Sequence, residues 1–168
     1  LAISIQLLLW TISGIYFSFN KIEDIRGGQY LKPKEAIETS KGIKIEAQQA
    51  LDLVAEKTYL NPKAVIEITE EESGAEYRGR SLPLYKIETI SEDSKEINIY
   101  VDPFSKEIVA VRSNQWRIWD FMWGIHIMDW NERDNIGNIF LKIFSILALI
   151  SALSGIYLFF TSSSKPKS

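Results

Sequence analysis

Residues 82–111, LPLYKIETISEDSKEINIYVDPFSKEIVAV, decide the fold. Residues 82–90 and 96–102 alternate apolar with polar positions and are rich in β-branched and aromatic side chains, the period-2 pattern of half-buried strands. Asp102-Pro103-Phe104-Ser105-Lys106 has the composition of a turn, and residues 107–111 return as a short further strand. Upstream, residues 64–70 (AVIEITE) alternate in the same way. Residues 45–59 instead place Ala47, Ala50, Leu51, Val54 and Thr58 at 3–4 spacing, one face of an amphipathic helix. The expected fold is α+β: one helix on an antiparallel sheet of three or four strands, spanning residues 44–112.

The flanks have a different character. Residues 1–19, LAISIQLLLWTISGIYFSF, carry no charged group, and at about 1.5 Å per residue they reach roughly 28 Å, the thickness of a bilayer's hydrocarbon core. Residues 137–160 form a second such run, whose one charge, Lys142, can snorkel to the headgroups. Both read as transmembrane helices, since core helices of a soluble domain this long keep a charged face. A secretory signal fits the first run poorly, because Phe19-Asn20-Lys21-Ile22-Glu23 offers no small-residue cleavage site. The run starts in mid-course without a Met, so further residues are expected upstream of Leu1.

All 22 acidic residues and 16 of the 19 basic ones fall between Asn20 and Asn138, which makes that stretch −6 and leaves +3 for Lys142, Lys165 and Lys167. By the positive-inside tendency the lysine-bearing tail, residues 161–168, is expected in the cytoplasm together with the N-terminus, and the acidic centre outside. Composition excludes more. With 46% hydrophobic and 12% aromatic residues the chain can bury a core, so global disorder is not expected. No cysteine means no disulfide framework, zinc ribbon, iron–sulfur site or thiol nucleophile. A net charge of −3 without a basic stripe argues against a nucleic-acid partner. Membrane lipid, another membrane or extracytoplasmic protein, and a second copy of the chain remain as partners.

Ser13-Gly14-Ile15-Tyr16 recurs as Ser154-Gly155-Ile156-Tyr157. Ser and Gly permit close helix approach, so Ser13, Gly14, Ser154 and Gly155 are candidate helix-packing residues. Residues 20–43, with Gly27-Gly28 and Pro33, have the character of a connector. Four of the five tryptophans fall in WRIWDFMWGIHIMDW, where Trp116, Trp119, Trp123, His126 and Trp130 step by 3, 4, 3 and 4 along one helical face. Residues 114–131 are therefore expected as an amphipathic helix at the membrane surface, with Trp116, Trp119, Trp123 and Trp130 in the interface.

The order of an amphipathic helix, AVIEI, YKIE and IYVDPFSKEIV resembles the PepSY domain, with Ser105-Lys106 in place of the usual Thr-Gly turn. With LLLWTISGIYFSF before it and HIMDW and SGIYLFF after it, the chain resembles the membrane-anchored PepSY proteins of the PepSY-associated TM family. The resemblance implies a cystatin-like module outside the cytoplasmic membrane of a bacterium, and a link to peptidase propeptides, hence to binding or regulating other proteins.

Two functions of different class follow. In the first, the module is non-enzymatic: it binds or regulates another protein, as an accessory subunit of a membrane complex in one form, with a sheet edge such as residues 82–90 taking a partner strand. In the second, His126 is an axial ligand to haem in an electron-transfer or ferric-siderophore-reductase-like protein, Asp129 orienting its other nitrogen. The resemblance adds weight to this, since larger relatives resemble haem-carrying reductases. Against it, the chain has one histidine, so a bis-His haem needs a second from another copy, from a partner or from the segment expected upstream of Leu1; one histidine also excludes a multi-His metal cage in one copy. Other constellations are weaker. Glu70-Glu71-Glu72 reads as a solvated turn. Asp129, Asn131, Glu132 and Asp134 miss the Ca²⁺-loop spacing, Asp134 standing where Gly is required. Asp120 and Asp129 lack a partner base, and no nucleophile elbow or phosphate loop is present.

Overall fold

The alternation in the central sequence becomes four strands, β1 (Asn61–Ile68), β2 (Leu84–Ile90), β3 (Glu96–Asp102) and β4 (Glu107–Arg112), paired antiparallel in chain order. Their register aligns Val65, Ile87, Ile99 and Val111 in one row across the sheet. The helix ahead of the strands, Ala47–Lys57, packs Ala50 and Val54 into the same core. Fully burying each such aliphatic side chain contributes about 1.5–3 kcal/mol, so this row and the helix's inner face hold the module together. On the opposite face Leu84, Tyr100 and Ala110 are covered by Tyr77, from the segment between β1 and β2.

In this computed structural model residues 1–33 and 42–163 are described. Residues 34–41 of the connector and 164–168 of the tail, with Lys165 and Lys167, lie outside the described residues. Numbered in chain order, the helices are α1 (Ala2–Phe19), α2 (Ile22–Ile25), α3 (Ala47–Lys57), α4 (Asn114–Ile127) and α5 (Ile139–Ser163), with a 3₁₀ turn at Gly28–Tyr30. They belong to two compact units, Leu1–Tyr16 with Met122–Ser168, and Phe17–Phe121.

Two expectations are corrected. Residues 82–90 are not an edge: the meander puts β2 between β1 and β3, and the edges are β1 and β4. Within the connector, α2 and the 3₁₀ turn bury Ile25 and press Gly27 against the sheet. A Cβ on Gly27, whose φ is +80°, falls 2.4 Å from Val111 Cγ1, so both backbone and space require glycine. The tryptophan helix is shorter than expected. It ends at Ile127, where Met128 turns left-handed (φ 56°) and the Asp129 N–H donates to Gly124 O at 3.0 Å, so Trp130 lies beyond the helix and is exposed.

The turn after β3 shows what the departure from Thr-Gly entails. Asp102 Oδ1 accepts from the N–H groups of Phe104 (2.8 Å) and Ser105 (3.2 Å), and Lys106 takes the left-handed conformation at φ 58°. A glycine adopts that conformation without a Cβ clash.

Both α1 and α5 are long and apolar enough to cross a membrane. Among the described residues α5 buries none of its side chains. Asn138 caps it: Oδ1 accepts from Leu141 N–H at 2.8 Å, while Nδ2 donates to Ile127 O and Asn135 O, joining the end of α4 to the start of α5.

Candidate functional site

Two constellations stand out, one in each unit. In the first, His126 of α4 meets α1. Its Nδ1 lies 2.8 Å from Ser13 Oγ, and the Trp10 indole N–H donates to His126 O at 2.8 Å. Ser13 is fully buried, and its hydroxyl also lies 2.8 Å from Leu9 O. With the single hydroxyl hydrogen donated to Leu9 O, Nδ1–H is the donor to Ser13 and Nε2 carries the lone pair, an assignment of tautomer from the hydrogen-bond pattern. Trp123 stacks beside the ring at 6.3 Å and 15°. Burial holds the imidazole's pKa below its ordinary value, favouring the neutral ring.

Asp129 does not orient His126. Its carboxylate instead accepts from the N–H groups of Glu132, Asp134 and Asn135 at 3.0–3.3 Å, organising the loop before α5. Burial opposes its ionisation, but those backbone donors prevail and its pKa is lowered. Among the described residues no group of three or more His, Cys, Asp or Glu could hold a metal. What these residues offer an iron porphyrin is one oriented imidazole.

The repeated tetrapeptides part company. Ser13 is engaged, with α4, whereas Ser154 is exposed and donates to Ser151 O of its own helix at 2.9 Å. A Cβ on Gly14 or Gly155 meets nothing within 4 Å, so neither glycine serves close packing among the described residues. Higher in α1, Gln6 is buried with its amide nitrogen unpaired among the described residues.

The second constellation belongs to the module. Glu76 Oε2 accepts from Asn98 Nδ2 (2.7 Å) and the Tyr100 hydroxyl (3.1 Å), and its Oε1 accepts from Arg117 Nε (2.6 Å). Burial resists charge on Glu76, but Arg117, Asn98 and Tyr100 outweigh it and hold its pKa below the usual carboxylate value. Beside it Asp120, 1% exposed, forms a two-point ion pair with Arg78. Trp116 is buried, with the Arg112 guanidinium 4.1 Å from its ring centroid and that of Arg78 at 5.6 Å. Trp116 is thus an arginine platform within the module and not a membrane-interface residue. Trp119, half-buried, packs against Phe17 at 5.5 Å.

Sequence reasoning missed Glu76, Arg78 and Trp10. One signal was available: Asp120 stands in an otherwise tryptophan-rich helix, and a lone acid there needs a cation.

Arg112 is mostly buried and donates to two main-chain carbonyls, Glu76 O (2.7 Å) and Val111 O (3.2 Å). Burial first, then the nearby Arg80 and Arg78, pull its pKa down to about 10. With Arg26 and Arg80 it borders a groove of about 480 Å³ along β4.

Comparison with curated proteins and with solved structures gives no match. A helix-on-sheet module with apolar helices at either end is the arrangement that the sequence resemblance implied, and the family model for the PepSY-associated TM region matches residues 1–167. The chain is a membrane-associated protein and belongs to the PepSY-associated TM region family.

Proposed function

We propose that this protein is a non-enzymatic, membrane-anchored recognition module: α1 and α5 cross the cytoplasmic membrane of a bacterium with both termini inside, and the Phe17–Phe121 unit faces outward to bind or regulate another protein. The observation that carries this is the sheet, a four-stranded meander whose edge strands β1 and β4 pair with no further strand among the described residues, in a chain with two apolar helices. Open edges recruit extended segments through main-chain hydrogen bonds. About 70 residues of folded module suit a recognition surface better than a self-contained enzyme.

The test is site-specific photocrosslinking in membranes. A crosslinker at Ile66 of β1 or Val109 of β4 is expected to trap one defined protein, and one at Ile150 of α5 is expected not to. Adducts from α5 alone would mean that the module is not the recognition surface. A Soret band in the purified full-length protein with its partners, lost in His126→Ala, would replace this reading with the haem-linked one.

A further inference from the structure

The groove along β4 differs from the rest of the module in its chemistry. Its floor is the edge strand itself, including Val109 and Ala110, and its apolar wall includes Ile25 and Trp116. Three arginines border it, Arg26, Arg80 and Arg112, and among the described residues no acidic one lines it. Arg26 and Arg80 are exposed and form no ion pair among the described residues. This basic site sits in a chain whose residues 20–138 sum to −6, so the local charge runs against the charge around it. A volume of about 480 Å³ falls within the range of about 300–1,000 Å³ typical of ligand sites.

We propose that the β4 groove binds a short, extended acidic segment of a partner protein, its main chain beside β4 and its carboxylates on Arg26 and Arg80. This rests on the recognition reading above and names which edge is used and what it takes. Three features favour a peptide. An edge strand offers unpaired main-chain groups that a peptide can match. Arginine pairs carboxylates in bidentate geometry. The register shift that brings Ile108 opposite Val101 and Ala110 opposite Tyr100 leaves Val109 bulged, so a short segment fits where a long strand does not. Arg112, held on Trp116 and on two main-chain carbonyls, is a fixed positive charge behind the two exposed ones.

Fluorescence anisotropy of the full chain in nanodiscs tests this with a labelled peptide of about eight residues alternating Glu and Val. Its Gln–Val counterpart is the control. The Glu peptide is expected to bind at least about ten-fold tighter than the Gln peptide, and more weakly as salt rises. Charge reversal at Arg26→Glu with Arg80→Glu is expected to remove that preference, while Arg26→Lys with Arg80→Lys keeps most of it; both positions are exposed, so folding survives. Equal binding of the two peptides, or no effect of the reversal, overturns the proposal. So does a reversal that weakens binding to phosphatidylglycerol vesicles but leaves the peptide untouched, since the groove is then a lipid site. If crosslinks from β1 capture the partner and the reversal changes nothing, the recognition reading stands and the β4 assignment falls. If neither edge captures a partner, both fall.

Discussion

Two polar interiors in this chain solve the same problem by different means. In the module, a buried carboxylate and a half-buried one are each matched to an arginine: Asp120 with Arg78, Glu76 with Arg117. Between α1 and α4 the groups drawn in from solvent are neutral, a buried serine hydroxyl with a half-buried indole N–H and a half-buried imidazole whose pKa is lowered. An ion removed from water costs several kcal/mol unless its partners are close and its remaining lone pairs are filled. A sheet with loops packed on it can bring three side-chain donors to one carboxylate, as at Glu76. Two apolar helices have only side chains at 3–4 spacing to offer, and there neutral groups cost less to hide.

The comparison is broken most severely at Asp120. Asp120→Ala leaves Arg78 without its buried partner, and chemical denaturation of the purified protein is expected to show a loss of about 3–5 kcal/mol. Replacing both residues with apolar ones, Asp120→Leu with Arg78→Met, recovers much of that loss if the cost is the orphaned charge. An equally unstable double variant would show that the pair itself contributes the stability.

Glu76→Gln keeps the shape and removes the charge, at an expected cost of about 2 kcal/mol at neutral pH. Because its folded pKa lies below its unfolded value, the wild-type contribution is complete above about pH 4.3 and is lost as pH falls through the folded pKa. Wild type and variant are therefore expected to converge in stability under acid conditions; a constant gap at all pH values would refute the ionic account.

The neutral interior should respond least and in a different pH window. Ser13→Ala is expected to cost about 1 kcal/mol, to shift the His126 ring resonances and to leave Ser154→Ala, at the equivalent position of the repeat, within about 0.5 kcal/mol of wild type. His126 has a folded pKa below its unfolded one, so its contribution is complete above about pH 6.5 and falls away as pH drops toward the folded value. Equal effects at Ser13 and Ser154 would mean that the helical repeat, and not the contact with His126, sets the cost.

How far the sequence carries the fold depends on the range of the interaction. The period-2 runs place β3 at its observed limits and β2 and β4 to within two residues, and 3–4 spacing finds α3, because each pattern reports a neighbour on the same element. The apolar flanks likewise announce α1 and α5. Partnerships at long range were not legible. The tetrapeptide repeat treats Ser13 and Ser154 alike, and only the fold brings Ser13 to His126. Periodicity put Trp116 with the interfacial tryptophans, but it does not know that Arg112 ends the preceding strand and sits above the ring. Helix limits failed for a local reason: the Met128 turn breaks the face before Trp130 joins it.

Glu76 also bears on the order in which the module assembles. Its partners Asn98, Tyr100, Arg112 and Arg117 lie 22 to 41 residues away, on β3, β4 and α4. None of these bonds can close until the hairpins of the sheet have formed, since each requires a long loop to be drawn together first. Glu76 therefore acts after the folding nucleus, as a clasp on a sheet already built. Weakening it should speed unfolding far more than it slows folding, so the life span of the folded module, and not its birth, is what this carboxylate governs.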